Sequence, residues 1–162
     1  MRPAVEVVAA LRSAGATVST AESLTGGLLC ATLVSVPGAS DVVRGGVVAY
    51  AADLKTDLLG VDASLLAERG TVDPDVAAAM ATGVRERARS TYGLATTGVA
   101  GPGPAEGKPA GTVHVAIAGP DGVLTSQLRL AGDRDVVRTE TVDALLSWLV
   151  ARLGEESRVH RG

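Results

Sequence analysis

One serine of this chain lies at a predicted strand-to-helix junction, a position that is typical of a nucleophile. Segment 20–27 reads T-A-E-S-L-T-G-G, so Ser23 follows a buried strand and precedes a helix. Each residue of the Gly26–Gly27 pair would cost a helix interior about 1 kcal/mol relative to alanine, which indicates that a ligand approaches the backbone there. Free N–H groups at the start of a helix can stabilise an oxyanion. Ser23 is therefore a candidate nucleophile, and an ordinary helix N-cap is the structural alternative.

A lysine and a tyrosine follow the next strand. Tyr50 closes an apolar strand, and Lys55 lies about one turn into the helix that follows, so both side chains could reach a common point. A lysine whose pKa is lowered by burial can act as the base for a serine nucleophile. An arbitrary lysine lies more often on a solvated helix surface. The spacing alone leaves both interpretations open.

A third segment is rich in glycine and proline. The loop 98–111 follows a strand, and it begins with G-V-A-G-P-G-P. Its glycines do not match the G-x-G-x-x-G dinucleotide pattern, and the chain has no Gly-Lys-Ser/Thr phosphate loop, which argues against dehydrogenase and kinase readings. Open α/β sheets bind ligands at the carboxyl ends of their strands. We therefore expect this loop to lie at a ligand site.

The elements that must position these residues alternate along the chain. Apolar periodicity and turn signals predict the order α-β-α-β-α-α-α-β-β-β-α. The strands are expected at 16–21, 42–51, 94–97, 112–118 and 123–130. Gly119-Pro120-Asp121-Gly122 predicts a hairpin, and Asp62 and Asp73-Pro74 predict helix starts. This order predicts an α/β fold with three α/β/α layers around one mixed, mostly parallel sheet.

Composition limits the class of protein. The chain has 162 residues, of which 46% are hydrophobic and only 2% aromatic, and we expect one domain over 1–153 and a disordered polar tail over 154–162. A net charge of -3 argues against nucleic-acid and membrane partners. The single Cys30 excludes an intrachain disulfide, and His114 and His160 are expected to be structurally incidental. No leader or spanning segment is evident, so a cytoplasmic location is expected.

Two arginines near the start of the last helix are candidates for an anion. Arg134 and Arg138 lie four residues apart and would present their guanidinium groups on one face, which suits a phosphate. Cations are mildly unfavourable at a helix N-terminus, which slightly favours a functional role for Arg134. The alternative is a solvated helix start in which Arg134 pairs with Asp133 or Asp135.

Five segments together resemble the CinA C-terminal domain family over nearly the whole chain. They are T-A-E-S-L-T-G-G (20–27), G-V-V-A-Y-A-A-D-L-K (46–55), T-G-V-A-G-P-G (97–103), K-P-A-G-T-V (108–113) and G-D-R-D-V-V-R (132–138). The resemblance implies a three-layer α/β/α fold and hydrolysis of nicotinamide mononucleotide to nicotinate mononucleotide and ammonia. It also implies that Ser23 is the nucleophile and that Lys55 and Tyr50 activate it. Arg134 and Arg138 are implied as candidates for the nucleotide phosphate.

A serine–lysine mechanism is our hypothesis for this site. Neutral Lys55 accepts the Ser23 proton, and Tyr50 orients Lys55 or relays a proton to the leaving ammonia. Backbone N–H groups around Thr25 to Gly27, or of the 98–101 loop, hold the oxyanion. The expected substrate-binding residues are Thr25, Gly26, Gly27, Thr97, Gly98, Gly101, Arg134 and Arg138. No metal and no organic cofactor is expected.

Two departures from the family pattern bear on substrate identity. Relatives commonly carry Ser-Asn where this chain has Ala51-Ala52, and Pro104-Ala105 replaces expected glycines. The alternatives are therefore an amidohydrolase for another carboxamide, or a non-catalytic nucleotide-sensing or assembly domain. Release of ammonia would identify an enzyme, whereas a sensor would show only a ligand-dependent shift in melting temperature. Beyond a small-molecule nucleotide substrate, we expect a homo-oligomer.

Overall fold

The computed structural model describes residues 2–159 of the chain, with six α-helices and five strands. The helices are α1 (Arg2–Ala14), α2 (Leu28–Val34), α3 (Ala52–Leu59), α4 (Ala63–Arg69), α5 (Pro74–Ala88) and α6 (Arg134–Val159). The strands are β1 (Val18–Glu22), β2 (Val43–Val48), β3 (Tyr92–Gly98), β4 (Thr112–Gly119) and β5 (Gly122–Arg129). One 3-10 turn, Ala39–Asp41, precedes β2. The expected order of elements is confirmed.

The five strands form one mixed sheet in the order β2-β1-β3-β4-β5. β1 pairs in parallel with β2 and β3, whereas β4 is antiparallel to both β3 and β5, so four strands point the same way. The hairpin turn is the tight connection that its sequence predicts, with Gly119 opposite Gly122. Because the carboxyl ends of β1, β2 and β3 meet at one edge, the loops that follow them converge there.

The two faces of the sheet are packed differently. Helices α1, α2 and α6 cover one face over Leu94, Val113, Val115 and Ile117. Helices α3, α4 and α5 cover the other, where the strands contribute Ala21, Ala95, Ala116 and Ala118. Small side chains let α5 lie close to the sheet: a Cβ on Gly93 would lie 2.1 Å from the Ala81 carbonyl oxygen. The three-layer α/β/α class is confirmed.

The glycine pair in β2 marks an irregularity in the sheet. The β1–β2 register shifts between Val18 and Ser19, which pair with Val43 and Gly45. A Cβ on Gly46 would lie 2.4 Å from Thr20 Oγ1, so only glycine fits this crossing without a shift. The glycine pair thus accompanies both an irregular register and a close approach of β2 to β1.

Two helix boundaries correct the sequence-based expectations. Helix α6 continues to Val159, so residues 154–159 are helical rather than a disordered tail, and residues 160–162, including His160, lie outside the described part. Buried Leu153 and the Arg152 ion pairs to Glu155 and Glu156 support the extra turns. Helix α2 begins at Leu28, after the glycine pair and not within it. Within residues 2–159 the structure has no helix both long and apolar enough to cross a bilayer.

Candidate active site

A buried serine–lysine pair lies at the carboxyl edge of the sheet. Ser23 immediately follows β1 and is 8% exposed, while Lys55, one turn into α3, is fully buried. Lys55 Nζ lies 3.0 Å from Ser23 Oγ. The pairing joins residues 32 positions apart because the parallel strands β1 and β2 end side by side. The contact between Ser23 and Lys55 that the serine–lysine hypothesis requires is therefore present.

Neutral oxygen atoms complete the surroundings of the lysine. Nζ donates to the carbonyl oxygens of Ala49 at 2.7 Å and Tyr50 at 3.3 Å. Among residues 2–159 no carboxylate forms an ion pair with it. Burial lowers the pKa of Lys55 below its ordinary value, and the Glu106 carboxylate opposes part of that shift. A lysine in this setting is able to accept a proton.

Ser23 is not the cap of α2. The carboxylate of Glu22, itself 1% exposed, accepts the N–H groups of Leu29 at 2.7 Å and Cys30 at 3.0 Å. These are the orphan donors of the first helical turn. The structural alternative for Ser23 is therefore wrong, and so is the expectation that the N–H groups at this helix end are free. The Ser23 hydroxyl is left to Lys55.

The glycine pair shapes the turn between Ser23 and helix α2. Gly26 has φ +57° and Gly27 has φ +100°, which are left-handed conformations that residues with a Cβ rarely adopt. The Gly26 N–H donates to the Ser23 carbonyl at 3.0 Å, which closes a tight turn. Thr25 is fully buried, and its hydroxyl lies 2.8 Å from that of Thr96 in β3. The turn is thus fastened to the sheet.

A cleft of about 170 Å³ opens above Ser23. Its lining comes from Ser23, Leu24, Tyr50, Thr71, Gly98, Ala100 and Arg134. The carboxyl ends of three strands contribute to it, as expected for an open α/β sheet. The 98–111 loop therefore forms one wall, as its composition indicates.

Tyr50 and Arg134 meet at this cleft. The Tyr50 side chain is 62% exposed, and its hydroxyl accepts a hydrogen bond from Arg134 at 3.2 Å. The same guanidinium donates to the Gly101 carbonyl at 2.8 Å. Lys55 contacts Tyr50 through the backbone carbonyl, so the hydroxyl is not what orients the lysine. The alternative pairing of Arg134 with Asp133 or Asp135 does not occur among the ion pairs of residues 2–159.

Arg138 supports the turn that follows Ser23. It donates from Nε to the Leu24 carbonyl at 3.0 Å and from Nη2 to the Thr25 carbonyl at 3.1 Å. Asp135 lies 3.7 Å from its other terminal nitrogen. Its contacts are therefore to the protein itself, whereas Arg134 alone of the two lines the cleft.

The remaining expected residues lie around the loop wall. Thr97 donates its hydroxyl to the Thr71 carbonyl at 2.6 Å, and Gly98 lines the cleft.

His114 is buried on β4, and burial lowers its pKa while Asp73 opposes the shift. Its Nδ1 has no hydrogen-bond partner among residues 2–159. In that same range no three His, Cys, Asp or Glu side chains are grouped to hold a metal ion.

Sequence reasoning missed three residues that shape the site. Glu22 caps α2, Glu106 binds the backbone of 71–72, and Thr71 lines the cleft. A glutamate next to the candidate serine was one available signal, because carboxylates favour helix N-termini. The partners of Glu106 lie 34 and 35 positions away, which no local pattern indicates.

Known proteins share both this sequence and this fold. The sequence profile of the CinA C-terminal domain matches residues 2–153. A CinA-like protein of Frankia casuarinae is 54% identical over 147 residues, covering 91% of this chain and 34% of that protein. A putative competence-damage inducible protein of Desulforamulus reducens is 49% identical over 136 residues, covering 84% of this chain and 33% of that protein. The chain thus spans about a third of the length of these curated relatives.

Solved structures agree with the sequence match. A competence/damage inducible protein from Agrobacterium tumefaciens superposes with a TM-score of 0.89 at 38% identity, covering 94% of both chains. A CinA superfamily protein from Klebsiella pneumoniae has a TM-score of 0.93 at 32% identity, covering 95% of this chain and 97% of its own. The resemblance noted in the five sequence segments is confirmed: the chain belongs to the CinA C-terminal domain family.

Proposed function

We propose that this protein is an amidohydrolase that converts nicotinamide mononucleotide and water to nicotinate mononucleotide and ammonia. The reaction class is suggested by the family resemblance and is supported by one observation above the others. Lys55 Nζ is buried 3.0 Å from Ser23 Oγ, and its charge has no ion-pair partner among residues 2–159. Burial favours the neutral amine that a serine nucleophile needs as its base.

The three contacts of Nζ suit both protonation states. A neutral amine can donate one N–H to the Ala49 carbonyl and one to the Tyr50 carbonyl, which leaves its lone pair for the Ser23 proton. After proton transfer the ammonium has three donors for the same three oxygen atoms. The site therefore supports the base before the reaction and the acid after the first step.

In the proposed acylation, Ser23 Oγ attacks the carboxamide carbon while its proton moves to Lys55 Nζ. The tetrahedral intermediate then breaks its C–N bond, and Lys55 returns the proton to the departing nitrogen, so that ammonia leaves and a nicotinoyl ester of Ser23 remains. Water attacks this ester, again with Lys55 as the base. Cleavage of the ester releases the carboxylate product and restores the Ser23 hydroxyl.

Backbone N–H groups next to Ser23 are candidates for the oxyanion site. The N–H groups of Ser23, Gly26 and Val99 already donate to protein carbonyls. Within the described part of the chain, those of Leu24, Thr25 and Gly27 have no protein acceptor. We assign the oxyanion to this group of three, since it includes the residue directly after the nucleophile.

Substrate binding is proposed for the two residues at the rim of the cleft. The Arg134 guanidinium can receive the nucleotide phosphate, and the exposed Tyr50 ring beside it offers an apolar face. Arg138 is assigned a different task from the one expected: it holds the turn that carries Ser23 by binding two of its carbonyls. Tyr50 is likewise assigned to binding rather than to orienting Lys55.

The test is release of ammonia and nicotinate mononucleotide from nicotinamide mononucleotide, measured for the wild type, Ser23→Ala, Lys55→Met and Lys55→Arg. We expect turnover only by the wild type, because arginine keeps the charge but cannot give up its proton. Ser13→Ala, a change of the same size at an exposed site on α1, is the matched control and is expected to retain turnover.

Each negative outcome has a distinct meaning. Turnover by Ser23→Ala would exclude the serine mechanism. A folded wild type that releases no ammonia from this substrate would exclude the proposed reaction. Release from other carboxamides would then identify a different substrate, and a rise in melting temperature with nucleotide but without ammonia would identify a sensor.

A further inference from the structure

Glu106 joins the glycine-rich loop to the chain segment that precedes α5. Its Oε1 accepts the Thr71 N–H at 2.8 Å, and its Oε2 accepts the Thr71 hydroxyl at 2.9 Å and the Val72 N–H at 3.1 Å. Hydrogen bonds to an ionised carboxylate are about twice as strong as neutral ones. Three of them fasten two segments that are distant in sequence.

The backbone around this contact is adapted to it. Glu106 has φ +51°, a left-handed conformation that residues with a Cβ rarely adopt. A Cβ on Gly70 would lie 2.7 Å from Glu106 Oε1, so glycine at that position makes room for the carboxylate. A strained residue persists where its surroundings define its position, and here the three hydrogen bonds do so.

The fastened segment is part of the cleft wall. Thr71 lines the cleft, and its carbonyl accepts the Thr97 hydroxyl from β3. Gly98 and Ala100, from the start of the same loop that carries Glu106, line the cleft as well. Glu106 therefore connects two parts of the wall that surround Ser23.

We propose that Glu106 is a positioning residue for the reaction, which holds the 98–111 loop against Thr71 and keeps its negative charge at the segment that leads into α5, the helix that packs against the Lys55 helix α3. The assignment rests on the proposed function for the task of Lys55. The contact geometry itself does not depend on that function.

The charge has an effect on the base that can be measured. The oxygen atoms that are hydrogen-bonded to Lys55 Nζ are neutral. Burial lowers the pKa of Lys55, and Glu106 is the charged group that opposes this shift. Two other charged groups lie near this contact. Lys108 lowers the pKa of Glu106. Asp73, next to the segment that Glu106 binds, has its carboxylate 3.6 Å from the Arg69 guanidinium. Removal of the Glu106 charge should thus lower the pKa of Lys55 further.

The chain is well suited to this measurement because Lys55 and Lys108 are its only lysines. Protein labelled with ¹³C-lysine gives one Cε signal from each, and Lys108→Arg identifies which is which. We would titrate the wild type, Glu106→Gln and Glu106→Asp, with Glu140→Gln as the control for loss of an exposed carboxylate on α6. Hydrogen exchange of the 98–111 amides is followed in the same samples.

In Glu106→Gln we expect the Lys55 midpoint to move to lower pH and the loop amides to exchange faster. In Glu106→Asp, which keeps the charge but is one methylene shorter, we expect faster exchange with a midpoint near that of the wild type. An unchanged Lys55 midpoint in Glu106→Gln would overturn the proposal, and so would wild-type exchange rates in both variants. Neither readout needs turnover, so a failure of the proposed reaction would be recognised separately.

Discussion

Two buried ionisable side chains flank Ser23 and differ in what surrounds them. On the α2 side, Glu22 is 1% exposed, and its carboxylate accepts two N–H groups from the first turn of the helix. On the α3 side, Lys55 is fully buried, and its Nζ contacts one hydroxyl and two carbonyl oxygens. The carboxylate lies at a helix N-terminus, whose dipole favours a negative charge, whereas the amine has contacts that suit both of its protonation states.

The difference separates the structural role that we assign to Glu22 from the reactive role proposed for Lys55. A carboxylate that accepts the N–H groups of a helix start contributes to the fold, because losing it leaves those donors unsatisfied. Burial disfavours the charged form of an amine, and contacts that suit both protonation states allow it to exchange a proton. Both side chains are ionisable and buried, so their hydrogen-bond partners distinguish the two roles.

The largest effect is expected from Lys55→Met, which removes the amine and keeps most of the side-chain volume. We expect turnover of nicotinamide mononucleotide to fall by about 1,000-fold, within the range for loss of a general base. The melting temperature should stay the same or rise, because the substitution ends the burial of an ionisable group. Enzyme assays and thermal denaturation test this directly. A large loss of stability would mean that Lys55 belongs with Glu22 as a structural group.

Glu22→Gln is expected to lower stability more than activity, which is the reverse of the result expected for Lys55→Met. The amide can accept only one of the two N–H groups of Leu29 and Cys30, and its own NH₂ would face the other. We expect the free energy of unfolding to fall by about 2 kcal/mol, as measured by urea denaturation. Activity per folded molecule should change much less than in Lys55→Met. An equal loss of activity at unchanged stability would contradict the structural assignment.

Lys55 should make its own contribution to the pH dependence of stability. Its pKa is lower in the folded state than in the unfolded chain, so between those two values the unfolded chain binds the extra proton. This contribution to stability should therefore rise with pH up to about 10.4, where an unfolded lysine titrates. The difference in unfolding free energy between the wild type and Lys55→Met, measured in urea across this range, should show that slope. A flat difference would mean that the folded lysine keeps its ordinary pKa.

The smallest effect concerns the starts of the two helices. The Glu22 carboxylate accepts N–H groups from the first turn of α2. The N-cap of α3 is Ala51, whose extended backbone suits a cap but whose side chain cannot form a hydrogen bond. Ala51→Ser should raise the free energy of unfolding by about 1 kcal/mol. Ala52→Ser, one position into the helix and also exposed, is the matched control, and no comparable gain is expected from it. Equal gains from both would show that capping is not the cause.

Local sequence patterns were sufficient to predict those features that depend on interactions between neighbouring residues. The β4–β5 hairpin follows from a Gly-Pro-Asp-Gly turn, and Asp62 and Asp73 accept the N–H groups of the helices that they precede. The fold class follows from the order of such elements. The five family segments pointed to Ser23 and Lys55, which the structure brings together.

Other features depend on contacts between distant parts of the chain. Arg138 reaches carbonyls 113 and 114 positions away, so the sequence could not distinguish its support of the turn after Ser23 from anion binding. The extension of α6 past Gly154 depends on packing of its last turns rather than on propensity. Glycines 26 and 27 read as part of a helix, although their positive φ angles place them before it.

The sequence by itself determined the elements, their order and the residue types available at the carboxyl edge of the sheet, because periodicity, caps and turns act over a few residues. The tertiary structure alone determined which buried group caps a helix and which has contacts that suit both protonation states. Glu22 meets its donors and Lys55 meets only neutral oxygens because of how β1, α2 and α3 pack. That environment, set by burial and by groups distant along the chain, is what separates a structural charge from a candidate base.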